Sequence, residues 1–186
     1  MQNGNKSSNE QESYSDIGNS DISWRIVAES LLFCSDLLHK HGPISKGIVI
    51  YPVAQMLRGM YVECLLKVAA RYSGEDIVKE GKPILKNHDL LNLSTKVDIK
   101  FSEEENNIFK DLTSYIQMGR YPVPSNIKFM KKTRKLVHMK RISSDKITAQ
   151  ISIWSKDQED SFKKLEEKLK SFLENPQNDH SEQKLN

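Results

Sequence analysis

The stretch from 49 to 72, VIYPVAQMLRGMYVECLLKVAARY, decides the fold. Ile50, Ala54, Leu57, Tyr61, Cys64, Leu65, Val68 and Tyr72 recur at three- and four-residue spacing, which predicts a helix of about Val49 to Tyr72 with one apolar side. Opposite them run Gln55, Gly59, Glu63, Lys67 and Arg71 at four-residue spacing, with Glu63 and Lys67 in the order that favours an ion pair. Either this stripe is a solvated ion-pair face, or Glu63, Lys67 and Arg71 line a polar groove that receives a nucleotide.

The same period continues on both sides. Trp24, Val27, Ala28, Leu31, Leu32 and Leu38 mark a helix from Trp24 to His39, with Ser20, Asp21 and Ser23 as candidate caps and HGP at 41–43 as its stop. NHDLLNLSTKV contains a short helix that Asn87 or Asp89 can cap. SEEE at 102–105 is a capping box, Ser102 with Glu105. It opens a helix whose Ile108, Phe109, Leu112, Tyr115 and Ile116 face inward. A last helix starts at SKDQ, with Ser155 and Gln158 as a second box, and carries Phe162, Leu165, Leu169, Phe172 and Leu173 on one face. Between these two helices the period changes to two. Ile147, Ala149, Ile151 and Ile153 alternate with polar residues, and TRKLVHMKRI can pair with them across SSDK as a hairpin. The expected architecture is therefore all-α in the main, an up-and-down bundle of four to five helices spanning 22–174, with a basic β-hairpin insert at 127–154 before the last helix.

The ends read differently. Residues 1–21 and 175–186 are rich in Asn, Ser and Gln without apolar period and are expected to be disordered. No stretch suits a membrane span or a signal peptide, so a soluble cytoplasmic protein is expected. Cys34 and Cys64 fall within apolar helical patterns and read as reduced core thiols. No glycine-rich phosphate loop is present, and no cofactor is expected.

Formal net charge is +3, but it is unevenly placed. Residues 127–154 hold Lys128, Lys131, Lys132, Arg134, Lys135, Lys140, Arg141 and Lys146 against Asp145 alone, whereas the remaining 20 Lys and Arg face 24 Asp and Glu. Seven of these cations fall within 128–141, interleaved with Phe129, Met130 and His138. Such a ridge can displace counterions from a phosphate backbone and offer an aromatic face to a base; its plainer use is solubility or an acidic protein partner. MGRYPVP at 118–124 joins the fourth helix to this segment. Pro122 and Pro124 hold the chain extended there. Either Tyr121 packs while Arg120 faces water, or Arg120 and Tyr121 meet nucleic acid at the junction.

The order of these motifs, a Trp- and Leu-rich first helix, ECLLKVAARY in a long second one, NHDLLNL, and a helix ending in GRYP, resembles the HEPN domain superfamily (higher eukaryote and prokaryote nucleotide-binding) over about 22–124 plus the last helix. The resemblance implies a helical bundle, commonly homodimeric. Active members are metal-independent ribonucleases of toxin–antitoxin and defence systems, some paired with nucleotidyltransferases. Their catalytic signature is an Arg followed after four to six residues by a His. Arg134 and His138, three residues between them, are the nearest approach here.

Metal-free RNA cleavage needs a base, an acid and a cation, so a His with an Arg suffices. Arg120, His88 and His138 are the catalytic candidates. His88 precedes a helix whose dipole favours the neutral imidazole; alternatively it packs structurally at the helix start, as Asp89 does by capping. His39 and His41 form an H-x-H of the kind that holds a metal weakly, or two cations suited to a helix C-terminus. Two functions follow as expectations. One is RNA or nucleotide binding with ribonuclease activity. The other is a non-catalytic module that docks an antitoxin or nucleotidyltransferase.

Overall fold

The computed structural model describes residues 13–41, 50–85, 88–120, 137–143, 146–151 and 154–175, with the backbone alone at Arg120 and in 137–143 and 146–151. In chain order the elements are α1 (13–18), α2 (Asp21–His41), α3 (Tyr51–Tyr72), β1 (Val78–Lys79), β2 (Lys82–Pro83), α4 (Leu90–Ser94), α5 (Glu103–Arg120), β3 (Val137–Ser143), β4 (Lys146–Ile151) and α6 (Lys156–Glu174). Among the described residues, four long helices and two short ones make the bundle, and the strands form two separate antiparallel pairs. Among the described residues, no helix is long and apolar enough to cross a membrane.

Helix α3 is the axis of the bundle. It packs most extensively against α2, then α5, and touches both α4 and α6. Every residue from 61 to 70 is buried as a result, including Glu63 and Lys67. The polar stripe therefore lies inside the protein and only Arg71 reaches water, which replaces the expected solvated face. A helix covered on all sides needs apolar residues all round, and the run from Tyr61 to Ala70 supplies them except at 63 and 67. Gly59 permits the closest approach of α5: a Cβ there would lie 2.7 Å from Ile116 Cγ1 and 3.1 Å from the Leu112 carbonyl oxygen.

Both capping boxes form. Ser102 N donates to Glu105 Oε2 at 2.6 Å while Glu105 N donates to Ser102 Oγ at 3.2 Å. Ser155 and Gln158 make the same reciprocal pair. Buried Glu105 also accepts from Lys168 Nζ at 2.7 Å, which ties α5 to α6. The inward faces are those expected: Ile108, Phe109, Leu112, Tyr115 and Ile116 on α5, and Phe162, Leu165, Leu169, Phe172 and Leu173 on α6, are all buried. Asp89 is the residue that caps α4, its carboxylate accepting from Leu91 N and Asn92 N. At the far end, Tyr72 donates to Asp21 and Arg25 donates to the Leu173 carbonyl at 2.8 Å, joining α2, α3 and α6.

Two further expectations change. Residues 13–20 are ordered rather than a loose tail. Asn19 Oδ1 accepts from Ile77 N and Val78 N, and its Nδ2 donates to Val78 O, so one side chain satisfies a strand edge. Trp24 Nε1 adds a bond to Gly18 O. Cys34 is exposed, so only Cys64 is a core thiol. Burial pushes Cys64 up to about 12, which keeps it protonated and unreactive.

The β1–β2 hairpin turns through Glu80 and Gly81, both at positive φ, the geometry that matches strand twist. The β3–β4 hairpin stands where the two-residue period places it. It pairs Val137 with Ile151, His138 with Gln150 and Lys140 with Thr148, and its register shifts between Arg141 and Ser143.

Candidate functional site

The first polar centre forms where α3 meets the start of α4. Glu63 is 5% exposed and Lys67 8%, and Lys67 Nζ donates to Glu63 Oε1 at 2.8 Å. The α-helical i, i+4 spacing sets this pair, and Trp24 of α2 covers it with its ring centroid 4.5 Å from Nζ. The chain then returns at His88, held by the cap of α4. His88 Nδ1 lies 2.9 Å from Glu63 Oε2 and 3.1 Å from Oε1.

One buried carboxylate thus serves an ammonium and an imidazole. A buried ion pair is kept only when its remaining lone pairs are satisfied, and His88 satisfies them. Donation from Nδ1 to Glu63 fixes the tautomer, so in the neutral ring Nε2 carries the lone pair. The His88 side chain is 37% exposed, whereas that of Glu63 is 7% exposed. Chemically this is an imidazole whose orientation is set by a buried carboxylate that also holds the Lys67 ammonium.

Arg71 does not join this centre: it pairs with Asp76 at 2.7 Å, on the surface. The alternative of one groove lined by all three residues therefore gives way to a buried pair, Glu63 with Lys67, and an exposed Arg71.

A second centre, which the sequence reading missed, lies at the foot of the β3–β4 hairpin. Trp154, three residues after β4, donates its backbone N–H to Tyr51 Oη at 2.7 Å. Tyr51 also meets the rings of His39 and Tyr115 edge-on, at 5.6 and 6.3 Å between centroids. Two turns along α3, Arg58 Nη1 lies 2.8 Å from each oxygen of Glu159, and its guanidinium sits 4.9 Å from the Phe162 ring centroid. Tyr51, Gln55 and Arg58 share one face of α3 by spacing. The sequence signal was an arginine inside an otherwise apolar run.

Several polar atoms here are buried without a partner among the described residues: His39 Nε2, both amide atoms of Gln55, Arg58 Nε and Trp154 Nε1. Burial, then the Arg58 charge, hold His39 below its usual range, so this imidazole is neutral near pH 7. Its Nδ1 is 3.0 Å from the Ser35 carbonyl, and His41 is exposed at the end of α2. Of the H-x-H, His39 is thus held by Ser35 and Tyr51, and among the described residues no group of three or more His, Cys, Asp and Glu is placed to hold a metal.

Arg120 ends α5, and His138, Lys140 and Arg141 lie on β3, all placed by their backbone alone. Tyr121, Lys128, Lys131, Lys132, Arg134 and Lys135 lie outside the described residues. Of the catalytic candidates, His88 is therefore the one whose surroundings are seen, and they include Glu63 and Lys67.

Comparison of the chain with models of known families, with curated proteins and with solved structures finds no match.

Proposed function

We propose that this chain is a HEPN-like RNA- or nucleotide-binding protein in which the helical bundle is the scaffold and the basic insert is the main contact for phosphates. The observation that carries the reading is the separation of charge and fold. Seven of the fourteen residues 128–141 are Lys or Arg, and the part of this run that the structure describes belongs to a hairpin with its own two-stranded sheet. Cations placed on an element outside the bundle core contribute little to folding and are available to release counterions from a polyanion.

A catalytic version of this reading rests on the Glu63–Lys67–His88 array. With Nδ1 held by Glu63, His88 Nε2 would take the proton of a ribose 2′-hydroxyl, and Arg120 or the insert would supply the charge that meets the phosphorane. The reaction would be transesterification at phosphorus: the 2′-oxygen forms a bond to phosphorus, the 5′-oxygen leaves, and a protonated group returns a proton to it.

The test is purified protein incubated with labelled single-stranded RNA in EDTA, beside Arg120→Ala, His88→Ala and His138→Ala. Cleavage lost in His88→Ala supports the catalytic version. Binding without cleavage leaves a binding protein. Neither binding nor cleavage at low salt overturns the proposal and favours the module that docks an antitoxin or nucleotidyltransferase.

A further inference from the structure

Tyr51 fixes the chain to the bundle where it returns from β4. Its hydroxyl accepts the Trp154 backbone N–H at 2.7 Å, and Trp154 is buried with its ring centroid 5.7 Å from that of Phe162 on α6. Tyr51 is in turn braced by two rings, His39 of α2 edge-on at 5.6 Å and Tyr115 of α5 at 6.3 Å. The last turn of α2 thus leans on the residue that holds the foot of the hairpin.

The brace suits a neutral imidazole only. Nδ1 lies 3.0 Å from the Ser35 carbonyl, so it carries the ring proton, and the Ser35 hydroxyl is itself anchored to the Ala54 carbonyl at 2.9 Å. Nε2 then holds the lone pair, closed to water and without a partner among the described residues. The charges around the ring come from three helices: Asp36 with Lys40 and His41 on α2, Arg58 on α3 and Glu159 on α6. Both Glu159 oxygens are already engaged, 2.8 Å from Arg58 Nη1, while Asp36, Lys40 and His41 are exposed and screened by water. Tyr51 and Tyr115 stay neutral, because burial pushes both phenols up. A proton on Nε2 would therefore set a donor without an acceptor, and a second cation beside Arg58, inside a closed site. Outside it, at the C-terminal end of α2, water and the helix dipole favour the same cation.

We propose that His39 is an acid-sensitive latch: when Nε2 takes a proton from solvent the ring leaves Tyr51 for the water at the end of α2, and the Trp154–Tyr51 bond at the foot of the β3–β4 hairpin opens while the bundle stays folded. The latch is a property of the bundle and its hairpin, independent of what the basic insert binds. Neutral conditions hold the foot closed, and mild acid frees it.

The experiment uses the full chain without nucleic acid and follows amide hydrogen exchange by NMR from about pH 8 to about pH 5, corrected for intrinsic exchange rates. Protection of the Trp154 amide is expected to fall by up to about 30-fold. The factor is about tenfold for each pH unit below the ordinary 6.5 of the released ring, for as long as the seated ring refuses the proton. Protection of the Leu66 amide, in the fully buried middle of α3, should not follow it. In His39→Gln, which cannot take the proton, Trp154 protection should be flat over the same range. The carbon shifts of the wild-type His39 ring, read in the same sample, should titrate in step with the Trp154 loss, so the result does not depend on the variant folding well. Constant Trp154 protection in the wild type, the same loss in His39→Gln, a His39 titration out of step with the loss, or an equal loss at Leu66 would each overturn the latch; the last would show that acid opens the whole bundle instead.

Discussion

Replacing Glu63 by glutamine keeps the shape of the side chain and removes its charge. The side chains of Glu63 and Lys67 are 7% and 9% exposed, so the Lys67 ammonium would be left inside the bundle against the Trp24 ring, without its carboxylate. Leaving one half of a buried pair uncompensated costs about 3–5 kcal/mol, whereas the loss of an exposed pair costs about 1 kcal/mol or less. For a chain of this size each kcal/mol lowers Tm by about 2–4 °C, so the expected fall is about 6–20 °C. Lys67→Met costs less, because Glu63 keeps His88 within 2.9 Å. The double variant removes both charges and is expected to be more stable than the two single losses together predict, by about 2 kcal/mol. Urea unfolding followed by circular dichroism measures all three. A loss below about 1 kcal/mol for Glu63→Gln, or strict additivity in the double variant, would refute the buried pair.

Other outcomes follow from single contacts. Gly59→Ala should destabilise by about 1–3 kcal/mol despite the better helix propensity of alanine, because its Cβ would meet the Leu112 carbonyl, which is backbone and cannot turn aside; thermal unfolding reads this directly. Ser155→Ala removes one half of the α6 capping box and should cost about 1 kcal/mol in the same assay. His39 is held below its ordinary 6.5 by burial and by Arg58, so the unfolded chain binds a proton that the folded one refuses. Stability should therefore fall as pH drops through about 6.5, until the folded ring itself titrates. The advantage of wild type over His39→Gln should shrink from about pH 8 to about pH 5; a constant difference would remove His39 as the cause.

Legibility in the sequence followed the range of the interactions. Ser102 with Glu105 and Ser155 with Gln158 are three residues apart, so their caps, and the helix faces they start, could be read directly. The hairpin was readable because alternation from Ile147 to Ile151 has no helical counterpart. Glu63 and Lys67 show the limit. An i, i+4 ion pair has the same pattern whether it faces water or α2, and only the wrapping of α3 by its neighbours decides which. Asn19 looked like tail because its partners, Ile77 and Val78, lie 58 and 59 residues away. Cys34 was misread because it follows the apolar run Leu31, Leu32 and Phe33 while the helix turns its side chain outward. Arg58 and Trp154 escaped notice for the same reason as Asn19: their site exists only once α2, α3 and α6 meet.

The central claim, phosphate contact through the basic insert, is tested most directly by the salt dependence of binding to single-stranded RNA. Affinity is expected to fall steeply as salt rises. Neutralising Lys131, Lys132, Arg134 and Lys135 together should reduce the slope of log affinity against log salt by about 3, at roughly 0.7 for each phosphate that these four cations would otherwise neutralise. Binding with the same slope in both proteins, or no binding by the wild type at low salt, would contradict it.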